Sequence, residues 1–309
     1  MAKLYIGVPV FNGEATIGAA LDSVLSQQFE DWTLLISDNA STDGTEVICR
    51  EFAERDPRIR YHRQTHNVGA WNNFKFLLAQ ADCPYFTWLS DDFVMKPEYL
   101  QVCVKRLEDD AGIGASTTHI VMCDENGEPR NLHTEAYKII QHGDRGRQLV
   151  ISYLLSKEIA LLIMSVFRTG HIRACMQPYS EESIFRLGVD AYVVLRAVSR
   201  MGLAVHPEFL LQIPYDHRWA RRTLTFEQAS LGGGFGFYFF AQSMKALPWK
   251  YRPAGFVILW TRLCISIAYK LTWGLFLHGP RGVMRKAANV RRVFSTKRLG
   301  DDTDQRTHD

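Results

Sequence analysis

Two adjacent carboxylates, Asp91 and Asp92, follow directly after an apolar run and precede Pro97. Adjacent carboxylates repel each other unless a positive group lies beside them. A hard divalent cation that keeps some of its water and also binds phosphate oxygens is a natural counter-ion for such a pair. An Asp-Asp pair can equally be a solvated turn, so its place in the chain matters. The pair lies at a predicted strand exit, which favours a cation site.

Polar residues also follow two earlier apolar runs. Residues 11–14 (Phe-Asn-Gly-Glu) follow the first run, and Asp38 follows the second. Asp38 could accept a hydrogen bond from a ring N–H of a nucleobase, or it could simply form a turn. Asn67 and Gly69 precede a predicted helix, whose N-terminus could face an anion or could end an ordinary loop. We therefore predict that the residues at these strand exits bind one ligand together and that this ligand carries phosphate groups.

Two residues further along the chain could take part in proton transfer or metal binding. Asp190 opens a predicted helix, where it could be an N-cap or an exposed general base. His217 lies in a loop rich in Arg and Trp, where a single His is most often solvated. Residue chemistry alone therefore indicates a metal-assisted nucleotide or phosphate site.

The surrounding apolar residues recur with strand and helix periods. Residues 4–10 have the length of a strand, and Ile17 begins the i, i+3, i+4 spacing of one helix face. Further strands are predicted over residues 32–37, 59–62 and 85–89, and helices after Asp43 and over residues 70–80. Asp43 and Glu46 resemble a capping box. This alternation predicts parallel strands with crossover helices, and ligands bind such a sheet beyond the carboxyl ends of its strands.

The alternation of predicted strands and helices becomes less regular after residue 106. We predict a strand over residues 113–122, a helix near residues 148–156, a helix opened by Asp190, and an extended segment over residues 204–213. The catalytic body is expected to end near Arg222. The chain then divides into a catalytic domain (1–222), a basic, apolar helical region (223–300) and an acidic disordered tail (301–309).

Composition excludes several classes of protein. The 309 residues are 47% hydrophobic and 22% charged, which excludes collagen-like, low-complexity and wholly disordered chains. The six cysteines are scattered without metal-site spacing, and they predict buried thiols in a reducing compartment. The first apolar run is broken by Pro9 and is too short for a signal peptide. We therefore expect a cytoplasmic protein.

The charges are segregated along the chain. The net charge is +3, but residues 228–300 hold twelve Lys and Arg with no Asp or Glu, whereas residues 1–227 sum to −6. Residues 256–277 are mostly apolar yet include Arg262 and Lys270, which disfavours a spanning helix. We expect residues 250–298 to lie on an anionic membrane surface. The alternative is packing on the catalytic domain or on a second copy in a homo-oligomer; without a binding motif, nucleic acid is not expected.

Several segments carry a resemblance to a known family. The segment IGVPVFNGEATIGAALDSVLSQQF is similar to the opening of the family 2 glycosyltransferases. The later segments NVGAWNNF and TWLSDDF resemble that family's Asn-x-Gly loop and its Asp-x-Asp metal segment. The match runs in order from about residue 3 to residue 100, and beyond it only VDAYVVLRAV and IPYDHRW are similar. The resemblance implies an α/β fold of the GT-A type, a Rossmann-like, mostly parallel mixed sheet flanked by helices, with a C-terminal helical extension.

The resemblance also implies donor-binding roles for seven residues, with Asp38 at the nucleobase. They are Pro9, Phe11, Asn12, Glu14, Asp38, Asn67 and Asp91. Phe11 stands where the family usually has Tyr.

The metal and catalytic positions depart from the family pattern. The resemblance implies that Asp92 and His217 hold Mg²⁺ or Mn²⁺ and that Asp190 is the general base. Ser90 replaces the first Asp of Asp-x-Asp, Phe93 replaces a further Asp, and Val189 replaces the Glu that usually precedes the base.

The implied function is inverting transfer of a sugar from a UDP- or dTDP-sugar donor to a glycan or lipid-linked acceptor, in cell-surface polysaccharide or glycolipid synthesis. The enzyme would lie at the cytosolic face of the membrane. The substituted positions leave a weakly active or non-catalytic sugar-nucleotide-binding subunit as an alternative. A processive polysaccharide synthase fits less well, because Tyr215 stands where its Gln-x-x-Arg-Trp motif has Gln.

Overall fold

The computed structural model describes residues 2–124, 129–130, 159–176, 189–214 and 252–253. Its first part alternates strands and helices, as the sequence predicts, and the predicted boundaries agree to within one or two residues. The elements are β1 (Leu4–Val10), α1 (Ile17–Leu25), β2 (Trp32–Asp38), α2 (Thr45–Arg55), β3 (Ile59–Arg63), α3 (Ala70–Gln80) and β4 (Tyr85–Trp88).

The later part contains shorter and less regular elements. They are β5 (Val94–Met95), α4 (Tyr99–Asp109), β6 (Ile113–Cys123), β7 (Pro129–Arg130), a 3₁₀ helix (Ile159–Met164), β8 (Val166–Arg168), α5 (Thr169–Met176), α6 (Val189–Arg200) and β9 (Gly202–Pro214). The strand over 113–122, the helix at Asp190 and the extended segment over 204–213 are confirmed. Strands β5, β7 and β8 were not predicted. The helix near 148–156, the boundary near Arg222 and the tail lie outside the described residues.

The described strands form one mixed sheet in the order β3-β2-β1-β4-β8-β6-β9-β5, with β7 paired to β6. The long pairings, including β1 with β2 and β6 with β9, are parallel. Each antiparallel pairing is only two residue pairs long. In the parallel half, Val10 pairs with Asp38 and Asp38 with Arg63. The ends of β1, β2 and β3 therefore lie side by side at one edge of the sheet.

An aromatic cluster fills the core between the sheet and α3. Trp88 is fully buried, and its ring meets Phe86 edge-on at 4.6 Å and Phe167 at 6.2 Å between centroids. The indole N–H donates to the Phe74 carbonyl oxygen at 3.1 Å, which satisfies its one polar group. The cluster fixes β4, whose end carries Asp91 and Asp92, against its neighbours.

Two arginines from the β8–α5 segment cap the C-termini of distant helices. Arg168 donates from Nε to the Ile113 carbonyl oxygen at 2.9 Å and from Nη2 to the carbonyl oxygens of Leu107 and Asp110. Arg173 donates to the carbonyl oxygens of Leu78 and Ala81 at the end of α3. The last carbonyl groups of a helix have no partner within the helix, so these side chains satisfy acceptors at the ends of α3 and α4.

Replacing Arg168 with Met should lower the free energy of unfolding by about 2–3 kcal/mol, since a hydrogen bond to a charged group contributes roughly 1.5–3 kcal/mol. Urea denaturation would measure the change. Arg55→Met is a matched control, because the exposed Arg55 side chain makes a loose 3.9 Å ion pair with Asp22 and a contact with the Phe52 ring, and within the described residues it has no role at a helix end like that of Arg168. Such pairs contribute about 0–1 kcal/mol. Equal losses in the two variants would contradict the capping role.

Five cysteines are buried free thiols, as the sequence predicts. They are Cys49, Cys83, Cys103, Cys123 and Cys175; Cys264 lies outside the described residues.

Across the described ranges, no helix combines the length and apolar character needed to cross a membrane.

Candidate functional site

The loops that follow β1 and β2 are hydrogen-bonded to each other. The Asn12 backbone N–H donates to the Ser41 hydroxyl at 2.9 Å, and the Gly13 N–H donates to the Thr45 hydroxyl at 2.9 Å. In return, the Thr42 N–H donates to Asn12 Oδ1 at 2.8 Å. Asn12 has a φ of 54°, in the left-handed region that Asn tolerates better than most residues. The sequence predicted both loops, and the structure brings them together.

Glu14 is bound to the start of α2. Its carboxylate accepts from the Gly44 N–H at 3.0 Å, near the positive end of the helix dipole. The Glu14 N–H in turn donates to Asp43 Oδ2 at 3.2 Å.

The capping box predicted from Asp43 and Glu46 is wrong. The N-cap of α2 is Gly44, and Asp43 accepts from both the N–H and the hydroxyl of Thr45. Burial acts to raise the pKa of Asp43, but the hydrogen bonds from Thr45 and Glu14 outweigh it and the pKa is lowered. Glu46 instead binds Arg50 and Arg63. Asp43 also accepts a hydrogen bond from the Glu14 N–H of the β1 loop, and the local sequence pattern does not reveal this long-range contact.

A buried asparagine connects the β2 loop to the loop before α3. Asn39 Nδ2 donates to Asn67 Oδ1 at 2.9 Å, and Asn39 Oδ1 accepts from the Val68 N–H at 2.8 Å. Asn67 Oδ1 also accepts from the Gly69 N–H, and Gly69 has a φ of 83°. A non-glycine residue would be strained there. Asn67 thus shapes the start of α3, next to the loop that begins at Asp38.

Asp38 is fully buried at the end of β2 and holds three donors. Its Oδ1 accepts from the Ser41 N–H at 2.8 Å, and its Oδ2 accepts from the Tyr61 hydroxyl and from Arg63 Nη1, both at 2.7 Å. Burial and the hydrogen bond to Asp38 raise the pKa of Tyr61, and Tyr61, Asp38 and Glu46 raise that of Arg63. The same acidic surroundings add to burial in raising the pKa of the Cys49 thiol to about 12.

Asp91 and Asp92 lie at the exit of β4, beside the β1 loop. Asp91 Oδ2 accepts from the Thr16 hydroxyl at 3.3 Å, and Asp92 Oδ1 accepts from the Ser90 hydroxyl at 2.6 Å. Asp92 Oδ2 has no hydrogen-bond partner among the described residues. Because Mg²⁺ is commonly held by one or two carboxylates together with substrate phosphates, this donor set fits the predicted cation. No group of three or more His, Cys, Asp or Glu side chains comes together as a metal site in the described part of the chain.

Replacing Gly13 with Ala should disturb both Asp91 and the β1 loop. The new Cβ would lie 2.6 Å from Asp91 Oδ2 and 2.6 Å from Val10 Cγ2. Overpacking of this kind costs about 1–3 kcal/mol of unfolding free energy. Thermal denaturation would measure it, with Gly18→Ala as the control, since a Cβ on Gly18 of α1 meets nothing within 4 Å. Equal melting temperatures for the wild type and Gly13→Ala would contradict the tight packing.

Four predicted site residues remain, and the structure describes the side chains of two of them, Pro9 and Phe11. Pro9 is buried within β1 opposite Ser37, whereas Phe11 is 47% exposed at the exit of β1. Asp190 is the second residue of α6, and its side chain is not described. His217 lies outside the described residues.

The predicted site residues do not include five side chains that hold the loops together: Asn39, Ser41, Thr45, Tyr61 and Arg63. One available signal was strand register, since Arg63 ends β3 as Asp38 ends β2.

The sequence profile of glycosyl transferase family 2 matches residues 5–170, which include the three connected loops and the Asp91–Asp92 pair. The chain belongs to this family. The family membership inferred from the N-terminal segments is therefore confirmed.

Curated relatives of this family member are bacterial glycosyltransferases. A GalNAc(5)-diNAcBac-PP-undecaprenol β-1,3-glucosyltransferase of Campylobacter jejuni is 33% identical over 93 residues, or 30% of each chain. A UDP-Glc:α-D-GlcNAc-diphosphoundecaprenol β-1,3-glucosyltransferase of Escherichia coli is 29% identical over 100 residues, or 32% of this chain and 39% of the relative. The chain spans 30%, 15% and 45% of the length of three such relatives.

Solved structures confirm the GT-A fold. S. aureus TarS 1–349 in complex with UDP superposes with a TM-score of 0.62 at 16% identity, covering 89% of this chain and 75% of the TarS 1–349 chain. The mannosyltransferase PcManGT from Pyrobaculum calidifontis, in complex with GDP-Man and Mn²⁺, gives a TM-score of 0.61 at 14% identity, covering 94% and 80%. At these identities the likeness concerns the fold alone.

Proposed function

We propose that this family 2 protein is an inverting glycosyltransferase that moves a sugar from a nucleoside-diphosphate donor to a lipid-linked glycan. The observation that supports it best is the set of three hydrogen-bonded loops beside Asp91 and Asp92, within the residues that match the family. The relatives from C. jejuni and E. coli have names that specify undecaprenol-diphosphate-linked acceptors. Those names support a lipid-linked acceptor and a role in surface glycan synthesis.

The proposed mechanism is a single displacement. Asp190 accepts the proton of the acceptor hydroxyl while that oxygen forms a bond to the anomeric carbon, and the bond to the diphosphate oxygen breaks on the opposite face. The electron pair of that bond leaves with the nucleoside diphosphate, and the anomeric configuration inverts. The loops built around Asn12, Asn39 and Asn67 hold the donor, and Phe11 offers an exposed ring to it.

Asp92, aided by Asp91 and by His217, would hold Mg²⁺ or Mn²⁺. Such a cation, when bound, would neutralise the negative charge that develops on the departing diphosphate. Ser90 donates to Asp92 Oδ1 and so keeps the carboxylate in one orientation. Phe93 is buried in the core and cannot replace the missing carboxylate.

A panel of nucleotide sugars tests this function. Purified protein would be given UDP-, dTDP- and GDP-sugars with an undecaprenyl-diphosphate-linked sugar acceptor, and released nucleoside diphosphate would be measured with and without EDTA. We expect turnover with one donor class and its loss in EDTA. Binding of a nucleotide sugar without turnover on any acceptor would favour the second candidate, a sugar-nucleotide-binding subunit, which the substitutions at Ser90 and Phe93 support.

We also propose that residues 250–298 hold the enzyme on an anionic membrane, where a lipid-linked acceptor would be found. Neutralising five basic residues should release the full-length protein from anionic vesicles in a sedimentation assay, since each contributes about 1 kcal/mol near such a surface. The residues to be changed to Gln are Arg281, Arg285, Lys286, Arg291 and Arg292. A control changes five exposed residues of the catalytic body, namely Lys3, Arg50, Arg55, Arg60 and Lys105. Equal release in both variants would contradict the proposal.

A further inference from the structure

The segment that follows the Asp91–Asp92 pair lies along helix α1. At the start of the helix, Asp91 Oδ2 accepts from the hydroxyl of Thr16, the N-cap of α1, at 3.3 Å. Just past the end of the helix, the Gln28 N–H donates to the Pro97 carbonyl oxygen at 2.8 Å. Strand β5 lies between these two points and packs on α1. The segment is therefore held at both ends of α1.

A buried side chain makes further contacts at the far end. Gln27 is 5% exposed, and its Nε2 donates to the Ser23 carbonyl oxygen at 3.0 Å and to the Lys96 carbonyl oxygen at 2.8 Å. Its Oε1 accepts from the Leu100 N–H at 3.0 Å. Because a Gln amide has two N–H groups, both donors are used within the protein. The side chain is thus committed to holding the backbone of residues 96–100.

The contact with Leu100 caps helix α4. The first N–H groups of a helix have no acceptor within the helix. Glu98 is the N-cap of α4, and among the described residues its side chain makes no capping hydrogen bond. Gln27 supplies an acceptor from a position 73 residues earlier in the chain. Since Gln27 also binds Lys96, it fixes the turn between β5 and α4.

This turn is connected to Asp92 by a short stretch of chain. Lys96 lies four residues after Asp92. Between them, Phe93 is buried, its N–H donates to the Ser90 carbonyl oxygen at 3.1 Å, and β5 pairs with β9. The pair of carboxylates is therefore placed from β4 on one side and from the contacts of Gln27 on the other.

We propose that Gln27 is a positioning residue for the cation site. By holding the turn before α4 against α1, it sets where the Asp92 carboxylate lies relative to the β1 loop. This inference rests on the proposed function. Gln27 contacts neither the cation nor the substrate, and its effect reaches Asp92 through the backbone. Outer groups that orient metal ligands typically account for about 10–100-fold in metal affinity.

Titration of Mn²⁺ into the full-length protein, followed by calorimetry, tests the assignment. The protein would be saturated with UDP, dTDP or GDP, whichever the wild type binds. Gln27→Met keeps the length of the side chain and removes its polar contacts, so it should weaken Mn²⁺ binding about tenfold. Gln28→Met is the matched control, because it removes only an exposed 3.1 Å hydrogen bond to Glu98 and keeps the backbone contact with Pro97. It should bind Mn²⁺ as the wild type does.

A second control separates positioning from a general loss of stability. Arg168→Met also removes hydrogen bonds to backbone groups, but its acceptors lie at the C-terminal end of α4, opposite the end that Gln27 caps. It should destabilise the protein and leave Mn²⁺ affinity unchanged. Equal weakening of Mn²⁺ binding in Arg168→Met and Gln27→Met would overturn the assignment.

Amide hydrogen exchange in the metal-free protein tests the contact itself. The Leu100 N–H should exchange about fivefold faster in Gln27→Met, as expected for the loss of one hydrogen bond, and at the wild-type rate in Gln28→Met. Unchanged exchange in Gln27→Met would overturn the capping contact on which the assignment depends.

The remaining outcomes separate this inference from the proposed function. Wild-type Mn²⁺ affinity in Gln27→Met would overturn the inference alone. Gln27→Asn, whose shorter side chain cannot reach both Lys96 and Leu100, should weaken Mn²⁺ binding in the same way, and it serves as the test if Gln27→Met does not fold. A folded wild type that binds no Mn²⁺ with any of the three nucleoside diphosphates would overturn the proposed cation site together with this inference.

Discussion

Replacing Asp92 with Asn should lower the rate of sugar transfer by about 10²–10³-fold, the range found when a single group that stabilises developing negative charge is removed. Asn keeps the shape of the side chain and can still accept from Ser90, whose hydroxyl lies 2.6 Å from Asp92 Oδ1. What the substitution removes is the charge on the oxygen that is open to a cation. The rate would be measured as released nucleoside diphosphate over a titration of Mn²⁺.

A second readout and a control make this prediction specific. Calorimetric titration of Mn²⁺ in the presence of nucleoside diphosphate should show weaker cation binding in Asp92→Asn. Asp109→Asn is the matched control, because Asp109 lies on the surface of α4 and forms an exposed ion pair with Lys105. Wild-type transfer by Asp92→Asn across the whole Mn²⁺ range would show that the metal site lies elsewhere.

Replacing Asp190 with Asn should reduce kcat by about 10²–10⁴-fold while leaving donor affinity unchanged, because a positioned general base contributes about that much. Asp190 lies at the start of α6, the helix that leads into β9. Transfer rates at saturating donor would be compared with calorimetric affinities for the nucleoside diphosphate.

The pH profile gives an independent check on Asp190. In the wild type, kcat should fall at low pH as the base becomes protonated, and Asp190→Asn should lose this dependence. Asp22→Asn, on the exposed face of α1, should behave as the wild type. Unchanged kcat in Asp190→Asn would assign the proton transfer to another group.

The parallel half of the fold follows closely from the sequence. Strands β1 to β4 and helices α1 to α3 each carry a continuous apolar run or a helical period, and such local patterns are sufficient to locate them. Strands β5, β7 and β8 have two or three residues each, so their pairing depends on the rest of the sheet and has no local signal. The same is true of Arg168, whose acceptors lie up to 61 residues away.

The site was predictable in outline but not in its connections. The strand exits at Asn12, Asp38 and Asp92 follow from where apolar runs end. The role of Arg63 depends on the register between β2 and β3, and that of Asn39 on a contact with a loop 28 residues away. A single sequence does not specify such side-chain pairs, because many other pairings are compatible with the same strands.

Strand β8 has a consequence for how the chain is made. Its three residues lie between β4 and β6 and join the two halves of the sheet. While the ribosome is still adding residues up to Ser165, the edge of β4 is open and the ends of α3 and α4 lack their Arg caps. An open strand edge invites pairing with other chains. Pairing of the short segment through Arg173 therefore covers the β4 edge and caps both helices, whereas the β6 edge that pairs with β9 stays open until residues 202–214 have been made.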